Sequence, residues 1–423
     1  MQKLGRELKL LFKLLQRARV RNEIVGCSGI KASLDGRYPY VYPRDLASVA
    51  SLMELLAMNG VKKAECLRNM ENYAEFLYHC QRKDGYVGQR YDGYFQDRSI
   101  YKQEDNIAHF IQVLAGFMLA SGNFDKEYAK AIKRAIRFAL DNYYRDEINL
   151  FISTTSVHES AICSGYDIWT NFAYHKAIKD ISLLEQVFKT RVLGKQLEGI
   201  VAGTQAEHVF HFEDRYLRGL EKEGEPDLRL DFVCLSPFYF GIDMDSNRMI
   251  ATANILRDAL WDPILGGLLR YQAYTEEFEM HLHAGSGPWL QYTAVLAQVF
   301  YYNGMKKEGD AVMAVIEKYR QEGENIPEHV STKDRFEEFM RLEWDTGLDF
   351  RKEFDPEILR EDTKFDLILE EVGHMKESYN RIRNDLLANP RKKHTIFGCP
   401  LIWSHSECCK ALFFRERGNA LSE

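Results

Sequence analysis

Apolar residues recur at three- and four-residue spacing through much of this 423-residue chain. After Asp45, the residues Leu46, Val49, Ala50, Met53, Leu56 and Ala57 trace a helical face, and Asn59-Gly60 supplies a left-handed stop. A second helix follows from Lys62 to about Tyr78, with its charges on one side. The same pattern returns with Ile107, Phe110, Ile111, Leu114, Phe117 and Met118, a stop at Ser121-Gly122, and a Lys-rich helix from about Asp125 to Tyr143. It returns again as Trp289 to Tyr302, Asn303-Gly304, and Lys306 to Tyr319.

Each unit is a richly apolar helix, a tight turn and an amphipathic helix that can coat the first. An apolar helix must be surrounded, so such hairpins stack into a solenoid or a closed double ring. The repeat length is irregular and long loops follow the amphipathic helices, which favours an all-α ring with its loops at one mouth. Two of these loops, 81–102 and 263–288, are rich in Gly, Tyr and charge. The stretch Leu228 to Val233, beside the Gly-Glu-Pro turn at 224–226, reads as part of a small β-hairpin insertion. Residues 331–393 form a charge-dense helical insertion, read as a solvated excursion, a lid, a docking surface or a contact for a homo-oligomer. No Pro-rich linker divides the chain, so 1–423 is expected to be a single domain.

Composition narrows the function. A net charge of −7 lacks the basic balance that phosphate neutralisation demands, which argues against nucleic acid as a partner. No apolar run reaches the ~18–20 residues of a membrane span. The opening Met1-Gln-Lys-Leu-Gly-Arg-Glu lacks a secretory pattern, and the eight cysteines are irregularly spaced with no CxxC pair. A cytoplasmic location with reduced thiols is expected. Aromatic residues make up 13% of the chain, enough to build a large core and still furnish flat faces for a sugar.

Six strings carry candidate chemistry. In order they are Tyr38-Pro-Tyr-Val-Tyr42-Pro-Arg44-Asp45; Asp84-Gly85 through Gln89-Arg90-Tyr91 to Gln103-Glu104-Asp105; Gly165-Tyr-Asp167-Ile-Trp169; Gly266-Gly-Leu-Leu-Arg270-Tyr271 with Gly287-Pro-Trp289; Ile326-Pro-Glu328-His329; and Pro400-Leu-Ile-Trp403-Ser-His405-Ser-Glu407. Together they resemble glycoside hydrolase family 15, the glucoamylase and glucodextranase group, over about residues 28–412. The resemblance implies an (α/α)6 barrel, with inner helices entered after Arg44-Asp45, Asp105, Trp169 and Trp289. It also implies inverting hydrolysis of an α-linked glycoside without a cofactor. Relatives that act on raw starch carry a starch-binding domain, so a small soluble oligosaccharide or glycoside is the expected substrate.

Glycoside hydrolysis needs two carboxyl groups across the anomeric carbon, one protonating the leaving oxygen and one activating water. By the resemblance Glu328 is the base. Arg44-Asp45 offers a planar donor fork beside an acceptor, suited to vicinal hydroxyls. Trp169, Trp289 and Tyr42 would supply flat faces, and Tyr38, Asp105, Arg270, Tyr271 and His405 complete the expected sugar site. In the family, the residue after the Trp of the Asp-x-Trp string is the catalytic acid; here it is Thr170, followed by Asn171. A hydroxyl cannot protonate a leaving group near neutral pH, and general acid catalysis is typically worth ~10²–10⁴-fold.

Glu159, in the hydroxyl-rich string Ser153 to Ser160 beside His158, is the first candidate to replace the acid, and Asp167 the second. An activated leaving group such as a glycosyl phosphate would need no such acid. Alternatively the chain binds sugar without cleaving it, as related domains in phosphorylase kinase regulatory subunits are thought to do. His281 and His283 with Glu277 and Glu279, and Glu207-His208 with His211 and Glu213, lack zinc-site spacing and read as polar loop residues, so no metal is expected.

Overall fold

A computed structural model describes residues 2–158, 165–193, 209–272 and 283–418. Its principal helices are α1 (Gln2–Ala18), α2 (Pro43–Met58), α3 (Lys63–Cys80), α4 (Asn106–Ser121), α5 (Lys126–Asn142), α6 (Ile168–Val187), α7 (Asn247–Ala259), α8 (Leu290–Tyr302), α9 (Lys306–Lys318), α10 (Lys333–Phe339), α11 (Leu348–Glu353), α12 (Phe365–Ala388) and α13 (Ile402–Arg417).

The apolar member of each hairpin lies inside. α2 packs on α4, α4 on α6, and α6 on a short helical turn at Ser236–Tyr239 that continues the 3-10 turn Phe232–Leu235. That segment meets α8, α8 packs on α13, and α13 returns to α2. The closing contact makes the array a six-membered ring, which a solenoid would lack. Inner helices are buried on all sides, and every residue of α8 is enclosed. The amphipathic helices coat them: α3 lies against α2 and α4, α5 on α4, α7 and α9 on α8, and α1 on α13. The architecture is the (α/α)6 double ring. The second helix, expected from Lys62, runs from Lys63 to Cys80.

Turn chemistry places the mouth. α4 ends at Gly122, whose φ of 72° lets its N–H reach back to Met118 O. The expected β-hairpin forms, but on different residues. Gly219–Leu220 pairs with Pro226–Asp227 across the 221–225 turn, and Tyr166–Asp167 adds a third strand. The stretch Leu228 to Val233 is not a strand; Asp231 accepts from Val233 N at 3.0 Å and caps the Phe232–Leu235 turn instead.

The insertion leaves and returns through one strand pair, with His329–Thr332 antiparallel to His394–Phe397. Its helices build a second hydrophobic cluster in which Phe336, Phe339, Met375, Tyr379 and Ile382 pack with Ile100 and Tyr101 of the ring. Ion pairs fasten it to the mouth loops: Arg98 to Glu370 at 2.5 Å, Arg360 to Asp97 at 2.6 Å and Arg381 to Asp35 at 2.7 Å. The segment read as a solvated excursion therefore lies against the ring mouth.

Candidate active site

A cavity of about 810 Å³, its open entrance included, sits at this mouth. Tyr38, Tyr42, Arg44, Asp45, Arg270, Trp289 and Glu328 all line it. Glu328 is held by its backbone on both sides. Its N–H donates to Phe397 O at 3.0 Å and Gly398 O at 3.2 Å, and its carbonyl accepts from Leu290 N at 2.8 Å. The Tyr38 hydroxyl donates to Oε2 at 2.8 Å. Burial pushes the carboxyl up to about 7, outweighing Tyr38, Arg37 and Arg270, which favour its ionised form. A carboxyl half-ionised at neutral pH inside a cavity is suited to proton transfer.

Arg44 enters the cavity from the first turn of α2, which Pro43 starts. Its guanidinium is fixed from below by Asp105, with Nε to Oδ2 at 3.2 Å and Nη2 to Oδ2 at 3.0 Å, and it also donates to Ser156 O at 3.2 Å. Asp105 is fully enclosed and further accepts from Trp169 Nε1 at 2.9 Å and contacts His109 Nε2 at 3.2 Å. Burial acts to raise its proton affinity, yet the Arg44 guanidinium holds it well below the usual carboxylate range.

Beside Arg44, with which it shares the Val157 carbonyl, Arg270 Nε donates to His158 Nδ1 at 2.6 Å, and His158 Nε2 lies 2.7 Å from Asp231 Oδ2. A ring nitrogen that accepts from Arg270 leaves Nε2–H to donate, so His158 is the neutral tautomer. Burial lowers its pKa to about 4, in keeping with that state. The Arg270 guanidinium lies 4.6 Å from the Trp289 ring centroid, and the same ring stacks on His329 at 4.7 Å.

No family model matches the chain, and no curated protein matches it by sequence. Its architecture does match solved structures. The glucoamylase of Saccharomycopsis fibuligera aligns with 92% of this chain and 89% of its own, with TM-score 0.56 and 13% identity. The chain has the glucoamylase fold. A glycosidase solved in complex with glucose covers 99% of both chains, with TM-score 0.64 and 13% identity. A bacterial glucoamylase complexed with acarbose covers 90% of this chain, which spans 50% of that protein, with TM-score 0.55 and 14% identity.

Within this glucoamylase fold, several expected sugar contacts lie elsewhere. Trp169 is 1% exposed, packed among Phe232, Tyr239, Phe240 and Trp403, and it does not line the cavity. Asp105 likewise lies behind Arg44. Asp105 pairs with the guanidinium, and Trp169 Nε1 donates to Asp105. His405 is completely buried, accepts from Ile326 N at 2.9 Å and lies 3.1 Å from Glu7, so it ties α13 to α1 and to the segment before Glu328. Tyr271 stands behind His158, with ring centroids 5.5 Å apart. Trp169, Asp105 and His405 are buried because the ring core takes the larger share of the aromatic and ion-paired side chains.

The acid candidates diverge too. Asp167 accepts from Ser156 Oγ at 2.7 Å and from Thr170 N at 3.1 Å, capping α6, and it is absent from the cavity lining. The capping demand of an N-terminal helix turn accounts for its placement. Thr170 is fully buried and donates to Ser153 Oγ at 3.2 Å. Glu159, with Glu207, His208, Glu277, Glu279 and His281, lies outside the described residues. Among the described residues no group of three or more His, Cys, Asp and Glu side chains could hold a metal. Arg37, Arg90, Glu353, Glu371 and Trp403 are among the further residues that line the cavity. Arg90 and Trp403 lie within the recognisable strings, but Arg37 borders one and the two glutamates sit in the insertion, where the sequence carries no signal.

Proposed function

We propose that this protein is a glycosidase that hydrolyses a small soluble α-linked glycoside with inversion, using Glu328 as the general base. The observation that carries the reading is a buried carboxyl in a polar, aromatic-edged cavity, with proton affinity near neutrality and Tyr38 fixing its orientation. Glu328 takes a proton from water as the oxygen attacks the anomeric carbon and the bond to the leaving oxygen breaks. Arg44, Arg270 and Asp45 hold ring hydroxyls. Arg90 Nη2 is buried and lacks a hydrogen-bond partner among the described residues, so it is a donor a substrate oxygen can satisfy. The glucose held by a glycosidase of the same fold agrees with a hexose ligand.

Glu159 is the proposed acid that protonates the leaving oxygen. Asp167, committed to capping α6, is not proposed. A second reading, a sugar-binding regulatory protein without hydrolysis, is favoured by Thr170, whose enclosed hydroxyl stands where the family carries its acid.

A glycosyl fluoride, whose leaving group needs little protonation, separates these when compared with an unactivated disaccharide. Wild type should cleave both. Glu328→Gln should lose both, and Glu159→Gln should keep the fluoride and lose the disaccharide. Sugar binding by all three proteins, with no turnover of either substrate, would establish the second reading instead.

A further inference from the structure

We propose that Glu371, on insertion helix α12, is a positioning residue for the Glu328 base, acting through Arg37 and Tyr38. This rests on the reading of Glu328 as the base. The contacts form an unbroken chain. Glu371 Oε1 accepts from Arg37 Nη1 and Oε2 from Arg90 Nη1, and the carboxylate is buried between the two. The Arg37 guanidinium lies 4.6 Å from the Tyr38 ring centroid, and the Tyr38 hydroxyl donates to Glu328 at 2.8 Å. The Arg37 and Arg90 side chains are only 11% and 2% exposed, so solvent screens this set weakly.

A guanidinium so placed favours ionised Glu328. Glu371 opposes it by sharing its negative charge with both arginines, and those arginines in turn hold Glu371 down at about 2 despite its burial. The groups facing Glu328 are Tyr38, Arg37, Asp35, Arg270 and Tyr292; those facing Glu371 are Arg37, Arg90, His374 and Tyr379. Asp35 is itself paired with Arg381 of the insertion at 2.7 Å. The insertion thus carries both a wall of the cavity and a counter-charge linked to the base through two intervening residues.

The test is a difference infrared titration of the full-length protein. The protonated-carboxyl band of Glu328 is isolated by subtracting Glu328→Gln, in wild type, Glu371→Gln and Arg37→Met backgrounds. Glu371→Gln uncovers the arginine charge, so the Glu328 midpoint should fall by one pH unit or more, a proton affinity at least tenfold weaker. Arg37→Met removes that charge, and the midpoint should rise. An unchanged or raised midpoint in Glu371→Gln overturns the proposal. Should that variant not fold, a midpoint that stays or falls in Arg37→Met does so. The titration needs no turnover. A wild type inert on both fluoride and disaccharide therefore sinks the hydrolase reading while the link from Glu371 to Glu328 is judged separately.

Discussion

Gly398 stands so close to Glu328 that a methyl group on its Cα would lie 3.0 Å from both Cβ and Oε2 of the glutamate. Its φ of +54° is a left-handed value that a side chain also disfavours. Gly398→Ala should therefore displace the carboxylate and leave Arg44 and Arg270, which are not among its nearest neighbours, in place. Misplacing a reacting group by about 1 Å can cost ~10²-fold in rate. Steady-state kinetics should show kcat falling ten- to a hundredfold with KM changed much less; equal effects on both would argue against a displaced base.

The acidic limb of the pH profile reports the same carboxyl. A general base must be ionised, and burial raises Glu328 to about 7. Fluoride hydrolysis should therefore rise in kcat/KM as pH increases through about 7 and level off above it. A limb near 4.5, the value of an unperturbed glutamate, would contradict the site described here.

Stability follows the opposite sign. The unfolded chain releases the Glu328 proton near 4.5 and the folded chain near 7, so between these values the folded protein binds more protons and loses stability as pH rises. Above pH 7 the buried charge costs up to about 3 kcal/mol. Glu328→Gln should raise the denaturation midpoint at pH 8 and leave it nearly unchanged at pH 4. A variant less stable at pH 8 would show that the carboxylate is better compensated than its neighbours suggest.

Asp105 provides a contrast, because it pairs with Arg44 and does not line the cavity. Asp105→Asn leaves Arg44 and its partners around a neutral amide, and breaking a buried pair typically costs about 3–5 kcal/mol. Sugar affinity should fall with it as the guanidinium loses its fixed direction. Trp169→Phe removes the indole donor and part of a ring packed among four aromatics, and should cost about 1–3 kcal/mol. Urea denaturation and sugar titration measure both. A Trp169→Phe variant that loses sugar binding with unchanged stability would return that residue to the ligand-binding wall.

Part of the site was legible because its signals are short. Arg44-Asp45 opens α2 after Pro43, and Ile326-Pro-Glu328 precedes a strand, so neighbours in sequence announce them. The roles of Trp169, Asp105 and His405 were not legible in this way. Each occupies a recognisable string, yet the string does not say whether the side chain turns toward the mouth or into the ring. That choice depends on what fills the ring interior, and there the Trp169 indole meets Asp105 and His405 meets Glu7.

The sequence alone determined the repeating helical hairpins, because periodic burial and glycine stops act within a few residues. Ring closure was a favoured expectation that the packing of α13 on α2 decided. Only the tertiary structure placed the charged insertion in the cavity wall. Arg37 and Glu371 are 334 positions apart, and no local pattern marks the pairing. A buried guanidinium needs a carboxylate wherever the fold can supply one, and here the fold supplies it from the segment whose charges by themselves suggested solvent.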